Sequence, residues 1–275
     1  MQAEELLRAG RLEEALAALE GQVRSDPADA KLRVFLFQLL AVMGDWERSL
    51  SQLNVAAELD ALNLLMAQVC RAALNCEALR AEVFAGKRSP LIFGEPEEWI
   101  GWLVQANQMI AEGKYQGARK VRERAFEAAP AIAGSIDNHK FEWIADADSR
   151  LGPVLEAIVD GKYYWIPFTA IKGIRIEPPT DLRDVVWCPA QFTWANSGEA
   201  AGFIPTRYPG SESSEDNTIQ LARKTEWMEQ PGDTYLGLGQ RVFATDIDEF
   251  PLMQVRQVDL DNLEPDHQSG EISNG

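Results

Sequence analysis

Apolar side chains in the first half of the chain recur at helical spacing. Leu12, Leu16, Leu19 and Val23 fall at i, i+4, i+7 and i+11, one stripe of a 3.6-residue period. Leu32, Phe35, Leu36, Leu39, Leu40 and Met43 form a second such stripe. Leu62, Leu65, Met66, Val69, Ala73 and Cys76 carry the period through a longer helix over residues 61–85. The segment Gly86-Lys87-Arg88-Ser89-Pro90 breaks it, and Gly94-Glu95-Pro96 leads into a helix starting near Glu97. The first 130 residues are thus expected to hold about seven helices.

The punctuation of these helices repeats. Gly10 and Gly44 lie 34 residues apart, each followed two residues later by a large apolar side chain, Leu12 or Trp46, that opens a helix. Asp26-Pro27 closes the first unit, and Leu59-Asp60-Ala61 stands at the matching place in the second. A third, offset copy runs through Gly113-Lys114-Tyr115, Ala118 and Ala125 to Pro130. This spacing resembles tetratricopeptide repeats. Glycine lets the first helix of a hairpin end in a tight turn. The small residue five positions after it (Ala15, Ser49, Ala118) lets the paired helices approach. Proline stops the second helix by removing a hydrogen bond and clashing with the preceding turn. The expectation is two regular hairpins, an irregular insertion and a third hairpin.

After Pro130 the helical period fades. Residues 151–160 (LGPVLEAIVD) read as one last short helix entered at Pro153. Beyond Gly161, the runs KYYWIPF, IKGIRIE, DVVWCPAQFTW, AAGFIPTRY and RVFAT are rich in β-branched and aromatic residues, and Pro or Gly separates them. They predict a small barrel or curled antiparallel sheet. Ser211 to Asn217 reads as a polar exposed loop, and residues 218–228 as a brief helix or strand. The fold class is α+β: tetratricopeptide-like helical hairpins over residues 1–130, a β-rich domain over 131–260, and a flexible acidic tail over 261–275.

Composition narrows the function. A hydrophobic fraction of 46% and a charged fraction of 25% across 275 residues are globular values. The net charge of −17 is uneven: residues 1–130 hold 15 basic against 19 acidic side chains, and residues 131–275 hold 11 against 24. Such acidity confers solubility and repels phosphate backbones, so nucleic acid is not an expected partner. The start, MQAEELLRAGRLEEAL, has neither the basic n-region nor the unbroken apolar run of a secretory signal. No stretch approaches the roughly 18 apolar residues of a membrane span. Cys70, Cys76 and Cys188 form neither a metal spacing nor an even disulfide set. A cytoplasmic protein with no membrane partner is expected.

Candidate chemistry is sparse. His139 and His267 have no cysteine or second histidine at ligand spacing. Asp146-x-Asp148, with Asp137 or Glu142, lacks a defined cation-binding loop, and a solvated acidic junction explains it better. Gly237-x-Gly239 precedes a strand, the reverse of a dinucleotide fingerprint, and reads as a tight hairpin. There is no phosphate-cradling loop, and Ser211 has neither a nucleophile elbow nor a histidine base. No cofactor and no resident metal are expected, and the chain reads as non-enzymatic. Eight tryptophans remain, mostly as core filling, although aromatics and arginine also anchor interfaces. Tyr163-Tyr164-Trp165 alternates across one strand, so at least one ring should face outward or toward the helical half.

The motifs of the second half fall in a specific order. They are Asp148-Ser149-Arg150-Leu151-Gly152-Pro153, Gly161-x-Tyr163-Tyr164-Trp165-x-Pro167, Leu182-Arg183-Asp184 with Trp187-x-Pro189-Ala190, and Pro205-x-Arg207-Tyr208-Pro209-Gly210-Ser211. Leu221-Ala222-Arg223-x-Thr225-Glu226-Trp227 and Gly237-x-Gly239-Gln240-Arg241 continue the series. Together with the helical repeats they resemble the ImpE family, also called TagJ, accessory proteins of bacterial type VI secretion, over nearly the whole chain. The resemblance implies a cytoplasmic adaptor that binds the N-terminal helix of the small contractile-sheath subunit and associates with the ClpV disassembly ATPase. The first helices of repeat hairpins usually line a groove in which an amphipathic helix can lie, which nominates Phe35, Gln38, Leu39, Trp102 and Gln105. Tyr164 and Trp165 of the aromatic strand, with the Arg207-Tyr208 turn, form the rival surface. Arg150, Arg183 and Arg207 have a second reading, as partners of acids inside the acidic half. Two other functions stay open: a metal-dependent hydrolase using Asp146, Asp148 and Glu226, and a self-assembling scaffold.

Overall fold

The computed structural model describes residues 2–261. His267 and, apart from Asp261, the tail lie outside them. Seven helices precede the sheet: α1 (Gln2–Arg8), α2 (Leu12–Ser25), α3 (Ala30–Val42), α4 (Trp46–Leu59), α5 (Leu64–Phe84), α6 (Glu98–Ala111) and α7 (Tyr115–Ala128). A short strand, β1 (Leu91–Ile92), interrupts them between α5 and α6.

The three repeat glycines sit at the same place in three hairpins. Gly10, Gly44 and Gly113 adopt φ of 75°, 74° and 72°, the left-handed region that only glycine enters without strain. In each turn the amide after the glycine donates back to the last turn of the first helix, as in Asp45 N to Leu40 O at 3.0 Å and Lys114 N to Met109 O at 2.8 Å. Ala15, Ser49 and Ala118 are wholly buried where the paired helices touch. The Ser49 hydroxyl also donates to Phe37 O across its hairpin, at 2.8 Å.

The second half is built from strands β2 (Gly134–Ile136), β3 (His139–Phe141), β4 (Ile144–Asp146), β5 (Val154–Val159), β6 (Lys162–Pro167), β7 (Ile171–Ile176), β8 (Trp187–Trp194) and β9 (Glu199–Pro205). A one-turn helix, α8 (Asn217–Gln220), then precedes β10 (Thr225–Gln230), β11 (Thr234–Gly239), β12 (Val242–Thr245), β13 (Glu249–Pro251) and β14 (Gln257–Leu260). The main sheet has nine strands in the order β1-β6-β5-β9-β8-β7-β14-β2-β3, and only the β1–β6 pair is parallel. Strands β13-β12-β4 and β10-β11 form two small sheets. The main sheet is curled and open, and the molecule is α+β.

Three expectations change. Residues 154–159 form a strand, not a helix, with all six residues buried. A strand covered on both faces loses its alternation and reads as a continuous apolar run, which periodicity cannot separate from a buried helix. Residues 218–228 hold part of a helix and part of a strand, in α8 and β10. Gly237 and Gly239 lie within β11, and the hairpin turns instead at Pro231-Gly232-Asp233. A Cβ on Gly237 would enter the Tyr208 ring, so glycine is needed there for packing.

Two cores result. The first runs from the helices into the sheet, joining Leu36, Leu39, Val83 and Leu103 to Ile158, Tyr163, Trp165 and Trp187. The second fills the other side of the curl, with Leu155, Ile166, Phe168, Ile174, Phe192 and Phe243.

Candidate functional site

A charged cluster is sealed between the helical half and the sheet. Arg80 of α5 grips Glu156 of β5 with both arms of its guanidinium, at 2.7 and 3.1 Å, and donates to Arg207 O at 2.7 Å. Arg241 bridges Glu156 and Asp146. Tyr163 donates to Glu156 at 2.6 Å, and the Trp165 indole to the Tyr163 oxygen at 2.8 Å. Trp187 donates to Glu77 at 2.8 Å, and Arg150 clasps Asp148 at 2.8 and 2.6 Å. Three arginines (Arg80, Arg150, Arg241) thus meet four carboxylates (Glu77, Asp146, Asp148, Glu156), all buried, and Arg207 is buried beside them.

Burial and pairing set opposite directions within the cluster. Burial pushes Glu156 up, but Arg80 and Arg241 outweigh it and hold the carboxyl at about 2. Burial raises Asp146 to about 6, because Arg241 is shared with Glu156 and Asp148 adds a second negative charge. Burial lowers Arg207 to about 10. Its guanidinium meets no carboxylate. It donates to Val42 O at 2.7 Å and Ala41 O at 3.4 Å, closing the C-terminal end of α3, and also to Gln220 O. Arg223 closes α1 in the same way, through Arg8 O and Leu7 O at 3.1 Å each. Two arginines of the second-half motifs, Arg207 and Arg223, therefore seat the ends of helices in the first half.

The nominated residues divide by exposure. Gln38 and Leu39 are buried because the chain fills its own repeat groove with residues 180–187. There the Gln38 carbonyl accepts from Leu182 N at 3.1 Å, and Trp46 lies 6.2 Å from Trp187. Trp165, Arg207 and Tyr208 are buried in the junction just described. Tyr163 and Trp165 point toward the helices, whereas Tyr164 is half-buried against Phe93 on the opposite face. Phe35 is half-buried, Trp102 lies under the Arg124 guanidinium at 3.6 Å, and Gln105 is exposed. Asp146 and Asp148 are turned inward to arginines, Asp137 binds the backbone of Arg256 and Gln257, and Glu226 is exposed beside Lys224. Arg150 and Arg183 pair with acids as their second reading holds, but Arg207 does not, because backbone carbonyls occupy it.

The outer face of α5, with the turn that leads into it from α4, escaped the sequence reading. Leu62 is 89% exposed and Leu65 74%, with Leu59, Leu64 and Val69 also exposed beside them. Between Ala61 and Ala78 only Arg71 and Glu77 carry charge, and Glu77 is buried. The stripe leads into a groove of about 480 Å³ between α5 and the β5–β9 surface, lined by Val69, Ala72, Ile158, Ala201 and Phe203. An adjoining hollow of about 330 Å³ continues past Pro189 to Arg175 and Glu177. Periodicity had placed Leu62, Leu65 and Val69 in a core stripe. The available signal was that apolar residues at 62, 64, 65, 66 and 69 cover more of the helix than one packed face needs. No helix among the described residues is long and apolar enough to cross a membrane.

Comparison with known proteins supplies the context for this geometry. The model of the ImpE protein family matches residues 138–259. A Pseudomonas aeruginosa protein named type VI secretion system accessory component TagJ is 52% identical over 261 residues, spanning 95% of this chain and 92% of that protein. A crystal structure of a Vibrio parahaemolyticus protein superposes with a TM-score of 0.86 at 27% identity, covering 94% of this chain and 97% of that one. The chain belongs to the ImpE family, whose members are also called TagJ.

Proposed function

We propose that the chain is a non-enzymatic accessory protein of a bacterial type VI secretion system, acting in the cytoplasm as an adaptor. It holds the N-terminal helix of the small contractile-sheath subunit and links it to a ClpV-type disassembly ATPase. The observation that carries this reading is the uncharged, exposed stripe Leu62, Leu65 and Val69 on a chain of net charge −17, since apolar faces of this kind mark partner surfaces. Its location in type VI secretion is supported by the name of the Pseudomonas aeruginosa relative. The acids that a hydrolase would need are committed elsewhere: Asp146 to Arg241 and Asp148 to Arg150.

Isothermal titration with a peptide of the sheath subunit's N-terminal helix tests the reading. A dissociation constant near micromolar, roughly −8 kcal/mol, is expected. Absence of heat, with no change in melting temperature, would rule the sheath partner out. The ATPase link is tested separately, by co-sedimentation of the ATPase with chain and sheath peptide present together.

A further inference from the structure

We infer that the hollow between Phe126 and Trp143 is a second docking site of this chain, separate from the outer face of α5, and that it takes an extended, basic peptide segment by one large apolar side chain. The inference goes beyond the adaptor reading and stands independently of the sheath subunit as partner.

Phe126 is 38% exposed and Trp143 39%, and neither ring joins either core. Large aromatic side chains left outside a core mark a partner surface where they border a cavity. Here a hollow of about 380 Å³ opens between the end of α7 and β4, lined by Ala129, Pro130, Pro153 and Ala244 with the two rings. Ligand sites span about 300–1,000 Å³, so the volume suits a bulky side chain and its neighbours. The Phe126 ring rests on the backbone of Gly152, where a Cβ would enter it, and this wall is therefore held in place. Asp146 and Asp148 also stand in the wall, but Arg241 and Arg150 neutralise them. The groove beside α5 meets β5 at Ile158, and the hollow touches the chain at Pro153. Five strand residues separate the two, roughly 17 Å, so both can be filled at once.

Backbone and charge give the occupant its other properties. β4 is an outer strand of its small sheet, in the order β13-β12-β4. Ala147 N donates toward β12, to Val242 O at 3.0 Å, whereas Asp146 N turns the other way, to Gly152 O at 2.7 Å. Alternation along the strand then turns the N–H and C=O of Ile144 away from β12 as well, where a strand added to the edge exchanges hydrogen bonds with them. Glu127 follows Phe126, Glu142 precedes Trp143, and Asp246 accepts from Glu142 N at 2.7 Å. All three acids are exposed, and they make no ion pair among the described residues. From Pro130 to Asp148 the only lysine or arginine is Lys140, and from Val242 to Glu249 there is none. Such a rim draws in basic flanks and repels acidic ones.

The experiment pans a random-peptide library, displayed on phage, on the full chain. The selected peptides are then synthesised and titrated against the chain and its variants, with each variant's melting temperature followed. Peptides with one Phe, Trp or Leu flanked by Lys or Arg are expected. Trp143→Ala removes one wall of the hollow and Ala244→Trp fills it, and each should weaken binding about tenfold or more. Glu127→Lys with Glu142→Lys changes only exposed side chains, so the fold should be retained while binding weakens and its salt dependence flattens. N-methylation of alternate peptide amides should also weaken binding, because main-chain pairing is lost. Leu65→Asp, on α5, should bind these peptides like the natural chain. The inference is overturned if no peptide is selected, if the selected peptides are acidic, or if the folded hollow variants bind all of them like the natural chain. Binding indifferent to N-methylation overturns the extended conformation. Sedimentation showing a dimer that Ala244→Trp dissociates would give the hollow to a second copy of the chain, and overturns the peptide partner too.

Discussion

Glu156 is the residue on which the junction turns, because two guanidiniums and a phenol converge on its two oxygens. Its native carboxyl titrates at about 2 against 4.5 for a free glutamate. A carboxyl lowered on folding contributes stability in full above the unfolded value and loses it as pH falls toward the native one. The loss therefore falls between about pH 4.5 and 2, and the shift corresponds to about 3 kcal/mol. Asp146 works in the other direction. Its raised value of about 6, against 3.8, penalises the native state above pH 6 and is relieved as pH falls toward 4. Urea midpoints should hold or rise slightly from pH 6 to 4.5 and then drop. Glu156→Gln leaves Arg80 and Arg241 facing an uncharged amide, which should cost about 3 kcal/mol or more at pH 7. That deficit should shrink below pH 4.5, and a deficit independent of pH would show that the charge of Glu156 is not what holds the junction.

Among the elements, the repeat hairpins were the most legible, because their signals are local. A glycine at φ near 75°, a large apolar side chain two residues on and a buried small residue at five require no knowledge of the rest of the chain. Gly113→Ala isolates this device, since nothing lies within 4 Å of the added carbon. The left-handed backbone alone should then cost about 1–2 kcal/mol, read as a lowered urea midpoint with an unchanged slope. Gly44→Ala should cost more, because its carbon meets the Glu212 side chain at 2.7 Å. What the sequence hid were features set by distant contacts. Residues 154–159 looked helical because both faces of β5 are covered, and β1 is a two-residue strand whose pairing with β6 lies in the other half. Burial of some nominated partner residues has the same cause. Gln38 and Leu39 occupy the positions that line a repeat groove, but residues 180–187 already fill it. One face of α5 stays exposed, and it carries an apolar pattern that periodicity alone assigns to a core.

At the scale of the molecule, the halves share one core and one sealed charge cluster, with Arg80, Arg207 and Arg223 reaching across. We propose that they fold as one cooperative unit. Far-UV circular dichroism, which follows the helices, and tryptophan fluorescence, which follows Trp165 and Trp187 in the junction, should trace the same urea transition. Two separated transitions would mean that the halves are stable independently. A shared core also confines recognition to what stays outside it, and the outer face of α5 is an uncharged surface left there. Hydrogen exchange of the full chain with and without the small sheath subunit addresses that claim most directly. Amides of residues 61–75 and 199–203 should gain protection on binding, while those of α3, already buried, stay unchanged. Protection appearing on α3 and α6, with none on α5, would return the binding site to the repeat groove and contradict the account.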